Sequence, residues 1–183
     1  MIIVALVGMA GAGKSEAARL FVESGFTGIR FGDVTDEELK KRGMAMNEEN
    51  ERSVREGFRK KYGMAAYAIL NLPRIELAQK SSPVIIDGLY SWEEYVFLKN
   101  YFRENLFVVA VHSSPWTRYE RLERRDVRPL TMEEAAGRDE AEILKINKGG
   151  PIAMADFTII NEGSLNDLKK EVKKAISFLR SKR

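Results

Sequence analysis

Short apolar runs recur along the chain at Ile2 to Val7, Val84 to Ile86, Leu106 to Val111 and Phe157 to Ile160, each stopping abruptly at glycine or polar residues. Runs of this length, rich in Val and Ile, predict strands buried on both faces of a parallel sheet. A weaker strand is predicted at Gly28-Ile29-Arg30-Phe31. The longer stretches between them carry the mixed apolar and charged spacing of helices, and many open on a capping residue. A helix is predicted from Lys14, another over Asp36 to Arg42 ending at Gly43, and a third capped by Asn47. Beyond Gly63 a more apolar helix is predicted over Met64 to Leu72, with Pro73 either breaking it or starting a new first turn. Ser91 leads into Trp92 to Phe102, Ser114-Pro115 starts an arginine-rich helix, and an acidic helix containing Arg138 follows. Gly149-Gly150-Pro151 reads as a break, Ala155 to Asn161 as the last strand, and Leu165 to Leu179 as an amphipathic terminal helix. Strands alternating with helices predict a three-layer α/β/α domain around a five-stranded parallel sheet.

The first strand runs directly into Gly8-Met9-Ala10-Gly11-Ala12-Gly13-Lys14-Ser15, and this stretch satisfies G-x-x-x-x-G-K-[ST] at every fixed position. Glycines there let successive N–H groups turn inward, making a nest for phosphate oxygens at the positive end of the following helix. Gly8, Gly11, Ala12, Gly13, Lys14, Ser15 and Glu16 are the candidate nucleotide-binding residues. Lys14 is expected to reach the β- and γ-phosphates of ATP, and the Ser15 hydroxyl to ligate Mg²⁺. A strand before the loop and an Ala/Leu-rich helix after it are the context this motif requires.

Asp87 ends the strand Val84-Ile85-Ile86, where parallel sheets present their ligand-binding edge, so it is a second candidate metal group; otherwise it caps a loop. Arg118, Arg121, Arg124 and Arg125 crowd one helix and its end. Arg121 and Arg125, four apart on one predicted helical face, are candidates to close over a polyphosphate. Arg138 either joins them or pairs with Asp139, Glu140 or Glu142. The single His112 at the end of the fourth strand is read as a packed residue, as are Trp92 and Trp116.

With 183 residues there is room for one well-buried α/β domain. The absence of cysteine removes disulfides, cysteine zinc sites and a thiol nucleophile from consideration. A net charge of +3 is too small to indicate a nucleic-acid partner, and no aromatic recognition motif accompanies the arginines. No stretch approaches the ~20 apolar residues of a membrane helix. A cytoplasmic protein, monomeric or weakly homo-oligomeric, is expected. Scarce Gln and abundant Glu, Lys and Arg resemble a thermophile's composition.

The phosphate loop, Gly32-Asp33 after the second strand, Asp87-Gly88 after the third and the arginine-rich segment after the fourth together resemble the nucleoside monophosphate kinase superfamily. The last third is similar to dephospho-CoA kinases at Ser114-Pro115, Arg121-Leu122 and the run Ala155 to Leu165. As a whole the chain looks most like archaeal adenylate kinase-related proteins, through Gly32-Asp33-Val34, Asp87-Gly88, Ala110-Val111-His112 and Asn161 to Leu165. The resemblance implies a core of residues 1–33, 83–125 and 137–183, an acceptor-binding helical insertion at 34–82 and a lid at 126–136. It implies an ATP-dependent phosphotransferase acting on a small-molecule nucleotide acceptor, with Lys14, Arg121, Arg125 and Arg138 neutralising charge in the transition state. Two acceptor-binding arginines of the superfamily are replaced, by Asp36 and Ser91. Asp33 stands where a base for an alcohol acceptor would be useful. Arg52, Arg55, Arg59 or Arg74 are candidates to restore a phosphate clamp. The contrasting expectation is an ATPase switch acting on a protein or RNA partner.

Overall fold

The computed structural model describes residues 1–126 and 128–182; Val127, inside the expected lid, and Arg183 lie outside the described residues. The central strand β1 (Ile3–Val7) is followed by α1 (Lys14–Glu23), β2 (Thr27–Arg30), α2 (Asp33–Lys41), α3 (Glu48–Tyr62) and α4 (Ala66–Ala78). Then come β3 (Val84–Asp87), α5 (Trp92–Phe102), β4 (Leu106–His112), α6 (Pro115–Glu123) and α7 (Met132–Ile146). The chain closes with α8 (Gly149–Ala153), β5 (Phe157–Ile160) and α9 (Leu165–Arg180). All five strands are parallel, in the order β2-β3-β1-β4-β5.

Every residue of β1 is buried, because helices cover both faces of the sheet. Ile3, Ala5 and Val7 pack with Ile86, Phe31, Ile75 and Leu98 on the side of α4 and α5. Val4 and Leu6 turn the other way, onto Phe21, Val172 and Ile176 of α1 and α9. The strand alternation thus builds two cores from one sheet. Since β1 connects toward β2 while β3 crosses over to β4, the chain reverses direction across the sheet beside β1. The carboxyl ends of β1 and β3 therefore border the crevice where open α/β sheets take ligands. Leu6 pairs in register with Asp87, which sets the phosphate-loop strand directly beside that carboxylate.

Several boundaries differ from the expected ones for identifiable reasons. The second strand is Thr27–Arg30, one residue earlier than predicted, and α2 starts at Asp33 instead of Asp36 although no side chain caps it. Pro73 neither breaks α4 nor starts it; it lies inside. An interior proline costs roughly 3 kcal/mol. The burial of Ala66, Tyr67, Ala68, Asn71 and Ile75 against the sheet offsets that cost, and the Asn71 amide bonds the Tyr67 and Phe31 carbonyls. Gly149-Gly150-Pro151 forms a short helix and not a break, with the Trp92 ring lying so close over Gly150 that a Cβ there would meet it at 2.7 Å. No helix among the described residues is long and apolar enough to cross a membrane.

Candidate phosphate and acceptor site

The loop between β1 and α1 is held open by side chains that come from far along the chain. Gly8, Gly11 and Gly13 have φ of 144°, 77° and 95°, where a side chain is strained. The Lys14 ammonium donates to the Met9 carbonyl (3.0 Å), Arg118 Nη1 to that of Ala10 (3.1 Å) and Asn161 Nδ2 to that of Ala12 (2.9 Å). With the carbonyls tied back, the amides are left for a ligand. Among the described residues, the N–H groups of Gly11, Gly13, Lys14, Ser15 and Glu16 have no protein acceptor. Such a row of free donors at a helix N-terminus fits phosphate oxygens. Gly13→Ala should break this arrangement, because its Cβ would lie 2.3 Å from Asn161 Nδ2 at a positive φ. We expect a loss of about 2 kcal/mol, from left-handed strain plus the displaced Asn161 bond, with weaker binding of inorganic triphosphate; chemical denaturation and titration calorimetry check both.

Arg118 is the less obvious anchor. Its side chain is 5% exposed and donates in parallel to Asp139, Nη1 to Oδ1 at 2.9 Å and Nη2 to Oδ2 at 2.6 Å. Its Nε donates to the Ser113 carbonyl (3.1 Å), and Tyr119 donates to the same Asp139 carboxylate (3.0 Å). One guanidinium so links the loop, α6 and α7. Neither Arg118 nor Asn161 was singled out in sequence, since Arg118 reads as one of several exposed helical arginines; the Asn161 side chain sits within a recognisable motif, which was its only signal.

Lys14 lies among charges from three elements. Burial, followed by the Lys148 charge, pushes its ammonium down to about 7, with Glu142 and Asp87 acting in the opposite sense. Ser15 is exposed at the start of α1. Its hydroxyl and the Asp87 carboxylate are both hard oxygen donors, the kind Mg²⁺ prefers. No group of three or more His, Cys, Asp or Glu side chains suited to a metal occurs among the described residues. Such a pair fits a cation that completes its shell with phosphate and water. The Glu16 side chain is engaged with Arg19, leaving only its N–H to the loop.

Beside the loop opens a cleft of about 810 Å³ between α2, α3 and α4 on one side and α7 with Arg125, Arg128 and Leu130 on the other. Arg30, Arg55, Arg59, Arg125, Arg128 and Arg138 line it. Arg30 donates to Asp33 (2.9 Å) and Asp36 (2.7 Å), while Arg55 and Arg128 share Glu48 and Glu51. Arg138 binds Glu142 at 3.1 Å. Arg59 and Arg125 form no salt bridge among the described residues, although the buried Glu94 carboxylate feels the Arg59 charge, and the buried Arg59 Nε has no hydrogen-bond partner among those residues. Asp36 therefore has its charge met by Arg30, which lessens the repulsion its position would impose on an anion.

Arg121 and Arg125 do not share the helical face expected of them. Helix α6 ends at Glu123, so Arg125 leaves the helical face; it bonds the Arg128 carbonyl (2.7 Å) and enters the cleft, whereas Arg121 turns back to the Ser113 hydroxyl (3.0 Å). Asp33 does not line the cleft; Gly32, Thr35 and Asp36 do. His112 is exposed and not packed. Trp116, at 65% exposure, is not packed either, while Trp92 lies against Tyr95 with centroids 5.1 Å apart.

A parallel sheet switching direction at a G-x-x-x-x-G-K-S loop, with arginines gathered over the next cleft, defines a P-loop domain of kinase-like fold. The AAA domain family matches residues 4–145. The UPF0200 protein TK1334 of Thermococcus kodakarensis is 38% identical over 184 residues, 98% of this chain and 99% of that one. The UPF0200 protein MJ1399 of Methanocaldococcus jannaschii is 37% identical, over 91% of this chain and 85% of its own. The chain belongs to the UPF0200 family of archaeal P-loop proteins. Among solved structures, a gluconokinase from Sinorhizobium meliloti 1021 is similar with a TM-score of 0.61 at 16% identity, covering 98% of this chain and 94% of its own. A shikimate kinase from Acinetobacter baumannii, in complex with shikimate, reaches 0.60 at 17% identity, over 100% and 95% of the two chains. At such identities the likeness is one of fold.

Proposed function

We propose that this protein transfers the γ-phosphoryl group of Mg·ATP to a small nucleotide-like acceptor, a nucleoside monophosphate or dephospho-CoA. The core is residues 1–33, 83–125 and 137–183, with the acceptor held between the insertion 34–82 and the lid 126–136. The observation that carries this reading is the row of acceptor-free loop amides next to a cleft in which Arg59 and Arg125 form no salt bridge among the described residues. Bound Mg·ATP supplies the reactive phosphoryl group and spreads its charge over the metal. The loop amides and Lys14 hold the β-phosphate oxygens, and Ser15 and Asp87 hold the metal. Arg125 and Arg138 meet charge on the transferring group, and Arg121 supports the loop end from Ser113. Closure of the lid excludes water. For a monophosphate acceptor, Arg59 takes the place of the arginines missing at Asp36 and Ser91. For an alcohol acceptor, Asp33 serves as base, which requires its carboxylate to leave Arg30 and turn into the cleft that it does not line in this structure.

Phosphoryl transfer from γ-labelled ATP to AMP, CMP, UMP, dCMP and dephospho-CoA, with Lys14→Ala as the blank, tests the assignment. In the monophosphate case, Arg59→Gln is expected to raise the acceptor KM about tenfold or more, the worth of one charged hydrogen bond, with the KM for ATP unchanged in steady-state kinetics. Lys14-dependent hydrolysis with no transfer to any acceptor would favour an ATPase switch instead. The replacement of both usual acceptor arginines is what supports that second reading.

A further inference from the structure

Lys148 has a buried ammonium at the edge of the phosphate site, and nothing in the fold requires a charge there. Its side chain is 2% exposed, and the other side chains that are comparably large and fully buried are all Phe, Ile or Leu. Asn147, left-handed at φ 52°, ends α7, and the amides of Asn147 and Lys148 both return to the Glu142 carbonyl. This turn sends the Lys148 side chain inward, where it pairs with Glu142 and lies 5.3 Å from the centroid of the Tyr90 ring. Residue positions just past a helix end usually bury an apolar contact. A buried ion pair is no more stabilising than well-packed apolar residues of the same volume. Stability therefore does not account for this lysine.

Its surroundings do. The Glu142 carboxylate is held by Lys148 on one side and Arg138 on the other. Burial would raise the Glu142 carboxyl, but Lys148 and Arg138 together hold it below the usual range, so it stands as an anion between two cations. Lys14 feels all three groups, and Asp87 as well. Glu142 and Arg138 line the cleft beside the loop, so an anion stands between two cations close enough to Lys14 to act on its charge.

Resting on the phosphate-loop reading above, we infer that Lys148 is a second phosphate-binding lysine, held in reserve by Glu142 and passed to the γ-phosphate oxygens when a triphosphate occupies the loop. Glu142 is the placeholder, and Lys148 distinguishes a triphosphate from a diphosphate. The test is the affinity of a non-hydrolysable ATP analogue and of ADP, each measured by titration calorimetry. Lys148→Met is expected to weaken the triphosphate analogue about tenfold or more, the loss of one charge-assisted bond, with ADP changed less than twofold; Lys148→Arg should recover most of the loss. Lys148→Met/Glu142→Gln removes the buried pair from both sides and is expected to fold even where the single variant, with Glu142 deprived of Lys148, does not. The double variant should keep the selective loss. Recovery of the wild-type ratio in it, or equal weakening of both nucleotides by Lys148→Met, would show that the lysine only neutralises Glu142 and would overturn the inference. Wild-type protein that binds neither nucleotide, or binds both equally after Lys14→Ala, would instead remove the phosphate-loop reading and this inference with it.

Discussion

Arg118→Met is expected to cost about 3–5 kcal/mol of folding stability, the usual penalty for removing one partner of a buried pair. The variant leaves the Asp139 carboxylate buried with, among the described residues, only the Tyr119 hydroxyl, and it strips donors from the Ala10 and Ser113 carbonyls. Urea denaturation of the variant and wild type measures the difference. Adding Asp139→Leu should recover only part of it, because the orphaned charge disappears while the two carbonyls remain without their guanidinium. Full recovery would mean that the ion pair is all that Arg118 contributes and that its bond to the phosphate loop is incidental.

Lys14→Met should reduce phosphoryl transfer by at least a hundredfold, the typical loss for one preorganised donor at developing charge. A thermodynamic signature goes with it. Burial and then the Lys148 charge push the Lys14 ammonium down from an ordinary 10.5 to about 7. Between those two pH values the unfolded chain binds a proton that the folded chain lacks, so stability should rise with pH across the window. Triphosphate reverses the preference by favouring the charged form. At pH 8.5, binding of a non-hydrolysable ATP analogue should therefore take up close to one proton. Calorimetry in two buffers of different ionisation enthalpy reads this directly. Heats that do not depend on the buffer, or an uptake that persists in Lys14→Met, would contradict the assignment.

The parts of the molecule that could be read in advance are those whose causes are local. Ile3 to Val7 is β-branched and apolar, and the glycines after it spell out a loop, so both strand and phosphate nest follow from neighbouring residues. Asn47, Ser91 and Ser114 cap helices where their side chains accept the third amide onward. Pro73 was misread because its local cost is outweighed by burial that only the folded sheet provides. Arg121 and Arg125 do not share one face because the helix ends between them. Arg118 and Asn161 reach the loop across 108 and 149 residues, a distance over which periodicity carries no information. Lys148 is hidden for the opposite reason: a charged residue before two glycines reads as solvent-facing, and only the left-handed Asn147 shows that it turns inward.

The walls of the cleft carry seven basic and five acidic side chains, interleaved and for the most part already paired. Such a surface is nearly neutral when viewed from outside, and at a physiological Debye length of about 8 Å little of its field reaches approaching solutes. The cleft consequently works less as a lure than as an ion exchanger. A solute gains only by matching the spacing of the cations closely enough to displace the resident carboxylates, so discrimination among anions is exercised at contact and not during approach.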